Sequence, residues 1–509
     1  MSWSKTKTVL ALAAVAALLL SACGARVPPY FPAAQVSAGN NSGGAGPGSG
    51  SAGGNQAAGT PTTLSSLGIG GGGGTQTGGG TGGPAAQGGS GAASGATPAA
   101  AAALTPDTFN LDPRAEAAYC PASSANKASD VGVTPSSINI GNVTGLSGLL
   151  SNNFNQGPEA VTALFTAVNN AGGICGRKLN LSVEDDGQDV SHNSADIQDL
   201  IPKSLAFVGS TSDADNGGVP SMEQAGIPDL GQAINFERGS MPNYFTAGTF
   251  GAQQRAGQDY IYDTLAAGLK ANGHFPTKMA FLSFSIPISK LAAEQFSTVF
   301  QQAGSQICYT NYAVSPAAPN LTSDVLSMEQ NGCNGVFTTM DVTGNAKLMQ
   351  AMYNQGYHPD YAGTTLDGYT PAQISTAGQQ QAQGFQIFLN FAPFNESQPA
   401  INMYISQLHT YEPGKQPSAF GIEAWSSAQL FLYALIKSGP NPTRSSIKSI
   451  ISGLTSWNTR GAMAPANEST RQPGNCLVDL QIKGNDFVRV WPASGFFCSN
   501  NLVAVQANP

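Results

Sequence analysis

Residues 157–184 read GPEAVTALFTAVNNAGGICGRKLNLSVE, a helix, a stop and a strand in direct succession. Val161, Leu164, Phe165 and Val168 fall at i, i+3, i+4 and i+7, one face of a helix over 157–171; Pro158 suits its first turn and Gly172-Gly173 its end. Leu179, Leu181 and Val183 then alternate as in a strand over 179–184. A strand over 138–143 precedes this unit, and a polar helix near 191–200 with a short strand at 205–209 follows, completing a βαβαβ series. Further strands are expected near 279–284, 307–314, 335–339 and 385–391. Helical segments are expected near 253–270, 290–303, 321–331 and 345–355. Such alternation implies an α/β fold with parallel sheets covered by helices on both faces.

At the start of the chain, Lys5 and Lys7 precede a 12-residue apolar stretch from Val9 to Leu20, and Leu20, Ser21 and Ala22 lead to Cys23. A basic start followed by an apolar run too short to span a bilayer reads as an export signal. The Leu-Ser-Ala-Cys run is the pattern cleaved and lipid-modified in bacterial lipoproteins. Residues 1–22 are thus expected to be a signal peptide and Cys23 the membrane attachment point; an ordinary cleaved signal or an uncleaved anchor are the alternatives. Residues 27–106 contain no Asp, Glu, Lys or Arg, and 24 of the 57 residues from Gly39 to Gly95 are glycine, so 23–106 reads as a lipidated N-terminus and flexible leash. Gly68, Gly70 and Gly73 match a dinucleotide-binding pattern, but no strand precedes them and no helix follows.

Residues 107–509 are more than one core usually serves, so two lobes are expected. A net charge of −8 and a pI near 5.0 argue against nucleic acid, which requires a basic face. No apolar run after Leu20 looks able to cross a membrane. Besides Cys23 there are six cysteines, an even number in an exported chain, which reads as three disulfides. Pairing of near neighbours, Cys120 with Cys175, Cys308 with Cys333 and Cys476 with Cys498, would staple local loops; free buried thiols or metal ligation are the alternatives. No metal or cofactor is expected: there is no C-x-x-C, and Asp213, Asp215 and Gly217 begin like a calcium loop without its distal Glu. The nucleophile-elbow, zinc-protease and P-loop motifs are absent, so nothing points to an enzyme.

In parallel α/β folds ligands bind beyond the carboxyl ends of strands, and the loops there are rich in small polar residues: 144–148, 210–215, 231–235 and 367–369. Together with Ile138-Asn139-Ile140-Gly141, the helix end Asn169-Asn170-Ala171-Gly172-Gly173, the acidic strand end Glu184-Asp185-Asp186, Gly226-Ile227-Pro228 and a helix from 425 to 439, these loops give the chain a resemblance. It resembles the type I periplasmic solute-binding proteins that take leucine, isoleucine, valine and related amino acids or amides to ABC importers, over about 135–492. The resemblance implies two Rossmann-like lobes joined by three hinge crossings, near Gly248, Gly384 and Gln481. Lobe 1 would comprise 135–250 and 385–481 and lobe 2 would comprise 251–384 and 482–495, between an N-terminal extension at 107–134 and a tail at 496–509.

The same resemblance implies the ligand contacts. Ser212, with Asp213 as its alternative, would hold the ligand carboxylate; Ala233 falls on a main-chain contact and Asn235 near a usual Thr; Asp367 would face the ligand ammonium. Leu150, Ile288 and Val342 stand where the family often has tyrosines, which suggests a larger or more apolar ligand. Read without the resemblance, Asp367 before Gly368 also suits a turn, and Ser212 a helix cap. The expected function is a monomeric, lipid-anchored protein that captures a small molecule and presents it to ABC permease subunits; a sensor or adhesion module on the same fold is the alternative.

Overall fold

The computed structural model describes residues 104–109, 125–148, 150–248, 253–255, 258–472 and 474–505. Cys23, the Gly-rich leash and Cys120 lie outside these residues. The first lobe is built on β1 (Ser137–Thr144), β2 (Lys178–Asp185), β3 (Phe207–Val208), β4 (Asp229–Leu230) and β5 (Tyr244–Phe245), all parallel in the order β2-β1-β3-β4-β5. The helix Gln156–Asn170 buries Val161, Leu164, Phe165 and Val168, the stripe visible in the sequence. Asp189 caps the helix Val190–Leu200 by accepting from the amides of Ser191 and His192.

Next come β6 (Gln253–Arg255), β7 (Gln258–Tyr262), β8 (Lys278–Phe284), β9 (Gln306–Val314), β10 (Gly335–Thr338), β11 (Tyr361–Thr364), β12 (Gln386–Leu389), β13 (Cys476–Lys483), β14 (Asp486–Trp491), β15 (Phe497–Cys498) and β16 (Leu502–Val505). The second sheet runs β14-β13-β12-β11-β10-β8-β9, with β13 antiparallel to both β12 and β14, and β15 against β13. Disulfides join Cys308 to Cys333 and Cys476 to Cys498, as expected, and Cys175 is also disulfide-bonded.

Three expectations need correction. The helix expected over 253–270 begins only at Thr264; Gln258–Tyr262 is a strand, because it is rich in β-branched and aromatic residues and the distant segment Leu502–Val505 pairs with it. That pairing also makes the expected tail part of the fold. Strand β12, expected in the first lobe, pairs with β11 and β13 in the second sheet, so Gly384 and Gln481 lie within that lobe, where Gln481 donates to the Gly384 carbonyl. Finally, the helix Ala419–Ser438 is long and apolar enough to cross a membrane, but it is buried from Ala419 to Ile436 as a core helix packed on Gln156–Asn170.

The chain therefore crosses between lobes after β5, after β12, and before β13. These strands are tied together by buried polar groups. Asn390 Nδ2 donates to the Gly248 carbonyl (3.1 Å) and to Glu423 (2.6 Å), and the Ala464 amide donates to the Asn390 carbonyl (2.7 Å). Glu468, 0% exposed, accepts from the amides of Thr246 (3.1 Å) and Ala247 (2.9 Å). Burial pushes its carboxyl up to about 7, against the opposing pull of those two amides.

Candidate functional site: the cleft between the lobes

Three adjoining cavities of about 250, 510 and 160 Å³ lie between the lobes, and all three share Asp367 and Phe420. The first lobe contributes Leu150, Asp213, Gln232, Ala233, Ile234 and Phe420; the second contributes Ile288, Leu291, Gln295, Phe296, Asp341, Val342, Asp367 and Phe388. Local sequence explains these positions. The helix Pro287–Gln302 presents Ile288, Leu291, Ala292, Gln295 and Phe296 to the 250 Å³ cavity, at i, i+3, i+4, i+7 and i+8. Asp367 lies in a short turn directly after β11, and Asp341 caps the helix Val342–Gln355 by accepting from the Gly344 amide (2.9 Å). On the other side, Gly209 carries β3 into the loop 210–213 with φ +70°; a Cβ there would lie 2.6 Å from Val161 and 3.2 Å from Ala424.

Of the residues expected to bind ligand, the cleft brings together Leu150, Asp213, Ala233, Ile288, Val342 and Asp367. Ser212 and Asn235 line none of the three cavities. Ser212 is fully buried and its hydroxyl accepts from the Ala214 amide (3.1 Å) within a turn; it does not cap the next helix, Val219–Ala225, whose N-cap is Gly218. Asn235 donates to the Asp213 carbonyl (2.9 Å) and to Asp215 (2.8 Å). Ala233 reaches the cavity, yet its amide, the group expected to meet a ligand, donates to the Tyr244 hydroxyl (3.0 Å), which in turn donates to the Gly231 carbonyl (2.7 Å).

Behind this face sits a buried network. Asp215 accepts from the amides of Ile234 (2.8 Å) and Asn235 (3.1 Å) and pairs with Arg238 Nη1 at 3.2 Å; Arg238 also grips Asp229 through Nε (2.8 Å) and Nη2 (2.9 Å). Burial pushes the Asp215 carboxyl up, and Arg238 and the amide donors oppose that shift. Two of the three carboxyls that face the cleft, Asp213 and Asp367, have less support. Burial pushes Asp213 up to about 6, and its Oδ1 has no hydrogen-bond partner among the described residues. Asp367 is also pushed up to about 6 by burial, against the Thr365 hydroxyl that donates to its Oδ2 at 3.2 Å.

Sequence reasoning missed Phe420, Gln295, Gln232 and Asp341. Gln295 had a signal: it is a polar residue in an otherwise apolar helix stripe, and it is only 7% exposed. Phe420 follows the Ser418 cap in the first turn of its helix, where nothing distinguishes a cavity-lining ring from a core one.

Among solved structures, the fold is similar to a branched-chain amino acid ABC transporter protein from Thermus thermophilus with bound valine, at 17% identity and TM-score 0.60, covering 72% of this chain and 98% of that one. It is equally similar to a fatty acid ABC transporter substrate-binding protein from Thermomonospora curvata (17%, TM-score 0.60, 75% and 98%). A solute-binding protein from R. palustris in complex with 4-hydroxybenzoate also matches (15%, TM-score 0.55, 72% and 98%). No curated protein matches the chain at the sequence level. The periplasmic binding protein family model, however, matches residues 137–486. With two Rossmann-like lobes, three crossings and a cleft between them, the chain belongs to the type I periplasmic binding proteins.

Proposed function

We propose that this chain is an extracytoplasmic solute-binding protein, tethered by lipid on Cys23, that captures a small molecule between its lobes and presents it to the permease subunits of an ABC importer. The observation that carries this reading is the two-sided cavity: Ile234 and Phe420 come from one lobe, Ile288, Leu291 and Asp367 from the other. A ligand touching both walls favours the state in which they approach, and that population shift tells a permease that the protein is loaded. The solute-binding roles of the similar ABC transporter proteins support the same reading. A ligand of amino-acid or amide size with an apolar body suits the lining; the protein acts as a monomer and catalyses nothing. The test is a thermal-shift screen of the mature chain against a broad solute panel. Ligand at ~100 times its dissociation constant stabilises by about 2.7 kcal/mol; a panel in which no solute raises the melting temperature overturns the proposal.

A further inference from the structure

Resting on that reading, the chemistry of the cleft narrows the ligand. Among the described residues lining the three cavities there is no Lys, Arg or His, whereas Asp213, Asp341 and Asp367 all line the 160 Å³ chamber. A carboxylate entering this chamber would thus meet three acids. Backbone amides could replace a cation, as they do in many anion sites. In the loop 233–235, however, each amide is engaged: Ala233 by the Tyr244 hydroxyl, Ile234 and Asn235 by the Asp215 carboxylate. Asp215 therefore occupies the carboxylate position that this loop offers, and Arg238 holds it there.

The remaining polar capacity is of a different kind. Gln232 and Gln295 are 8% and 7% exposed and line the 250 Å³ cavity; Gln232 Oε1 and Gln295 Nε2 have no hydrogen-bond partner among the described residues. Unpartnered buried polar atoms are uncommon, and each costs stability until something meets it. Asp213 Oδ1 is a third such atom. Around them the wall is apolar, with Leu291, Phe296 and Phe388 on one side and Ile234 and Phe420 on the other.

We infer that the cleft recognises an apolar molecule bearing a primary amine and no carboxylate, with its ammonium against Asp367 and Asp213 and its hydrocarbon body on the apolar wall of Ile234, Leu291, Phe296, Phe388 and Phe420. An ammonium brings three donors and a positive charge to carboxyls that lack a cation, whereas a zwitterion brings a carboxylate for which the 233–235 loop has no amide left.

Calorimetry on the mature full-length chain tests this with four probes of one shape: 2-phenylethylamine, 3-phenylpropanamide, 3-phenylpropanoate and L-phenylalanine. The amine is expected to bind at least 30-fold tighter than the propanoate, and tighter than phenylalanine. Asp367→Asn should lower amine affinity about 30-fold and change amide affinity less than 3-fold; Asp213→Asn, from the opposite lobe, should lower amine affinity in the same direction. Propanoate or phenylalanine binding as tightly as the amine overturns the inference and leaves the solute-binding reading standing. Binding of none of the four also overturns it; a hit elsewhere in the solute panel then preserves solute binding, and an empty panel ends both.

Discussion

The two faces of the cleft use similar residues in opposite ways. On the first lobe, Asp215, Arg238, Asn235 and Tyr244 satisfy one another and the loop amides, so the layer behind that face is chemically complete and, among its described residues, only Asp213 and Gln232 present buried, unmet hydrogen-bonding capacity to the cleft. On the second, Ile288, Gln295 and Asp367 reach the cavity with little or no support from their neighbours. Asp215 is thus a structural strut whereas Asp213, two residues away, and Asp367 across the cleft are recognition groups, and what separates them is whether their hydrogen-bonding capacity is already met inside the protein. Motif position alone does not make that distinction.

The strongest way to break this contrast is Arg238→Ala. It leaves Asp215 and Asp229 buried without their cation, and removing one partner of such a pair costs about 3–5 kcal/mol. Amide exchange in β3 and β4 should accelerate accordingly, while exchange in β10 and β11 of the other lobe stays near wild type. Unchanged protection in β3 and β4 would show that the first face is not held by this network.

Where the two faces are joined, Glu468 supplies a pH-dependent contribution. Its carboxyl is pushed up to about 7 in the folded protein from an ordinary value of 4.5, so the native state binds its proton more tightly than the unfolded chain does. The stability this gives is fully present below pH 4.5 and is lost as pH rises through 7, a window worth about 3 kcal/mol. In urea melts, wild type should lose stability between pH 5 and 7.5 relative to Glu468→Gln, and parallel pH profiles for the two proteins would exclude a buried, proton-binding Glu468.

How much of this was legible follows from the range of the interactions. The stripe Val161, Leu164, Phe165 and Val168 encodes its helix within two turns, and Leu179, Leu181 and Val183 their strand, so both appear in the structure close to where periodicity puts them. Strand β7 depends on Leu502–Val505, some 240 residues away, and β12 is assigned to a lobe only by pairing with β11 and β13; neither is a local property. The site divides the same way. Asp367 after β11 could be read from a turn, but Asp213 and Asp215 sit on one loop, and sequence does not tell which faces the cleft and which is turned inward to Arg238.

A smaller effect sharpens the recognition side. Ile288 is half-buried and lines two of the cavities, so Ile288→Ala should remove apolar contact with a bound hydrocarbon body while leaving the core largely intact. At ~0.8 kcal/mol per buried methylene, partial loss of three carbons lowers affinity about 5- to 10-fold. Affinity within 2-fold of wild type for the ligand that the screen returns would place its apolar body away from this helix.

The smallest expected effect is the most discriminating. Ser212 holds the position at which a hydroxyl would meet ligand, and removing a hydrogen bond made directly to ligand there would weaken binding by roughly 1–3 kcal/mol. In this fold its hydroxyl is buried, accepts from the Ala214 amide and lines none of the cavities. Ser212→Ala should therefore cost roughly 0.5–1.5 kcal/mol of stability, as the loss of one local hydrogen bond does, and change ligand affinity less than 2-fold. Calorimetry and thermal melting on the same sample separate the two. A loss of affinity at unchanged melting temperature would mean that the loop turns Ser212 outward when ligand binds, and the loop 210–213 would then recognise ligand through that hydroxyl as well as through Asp213.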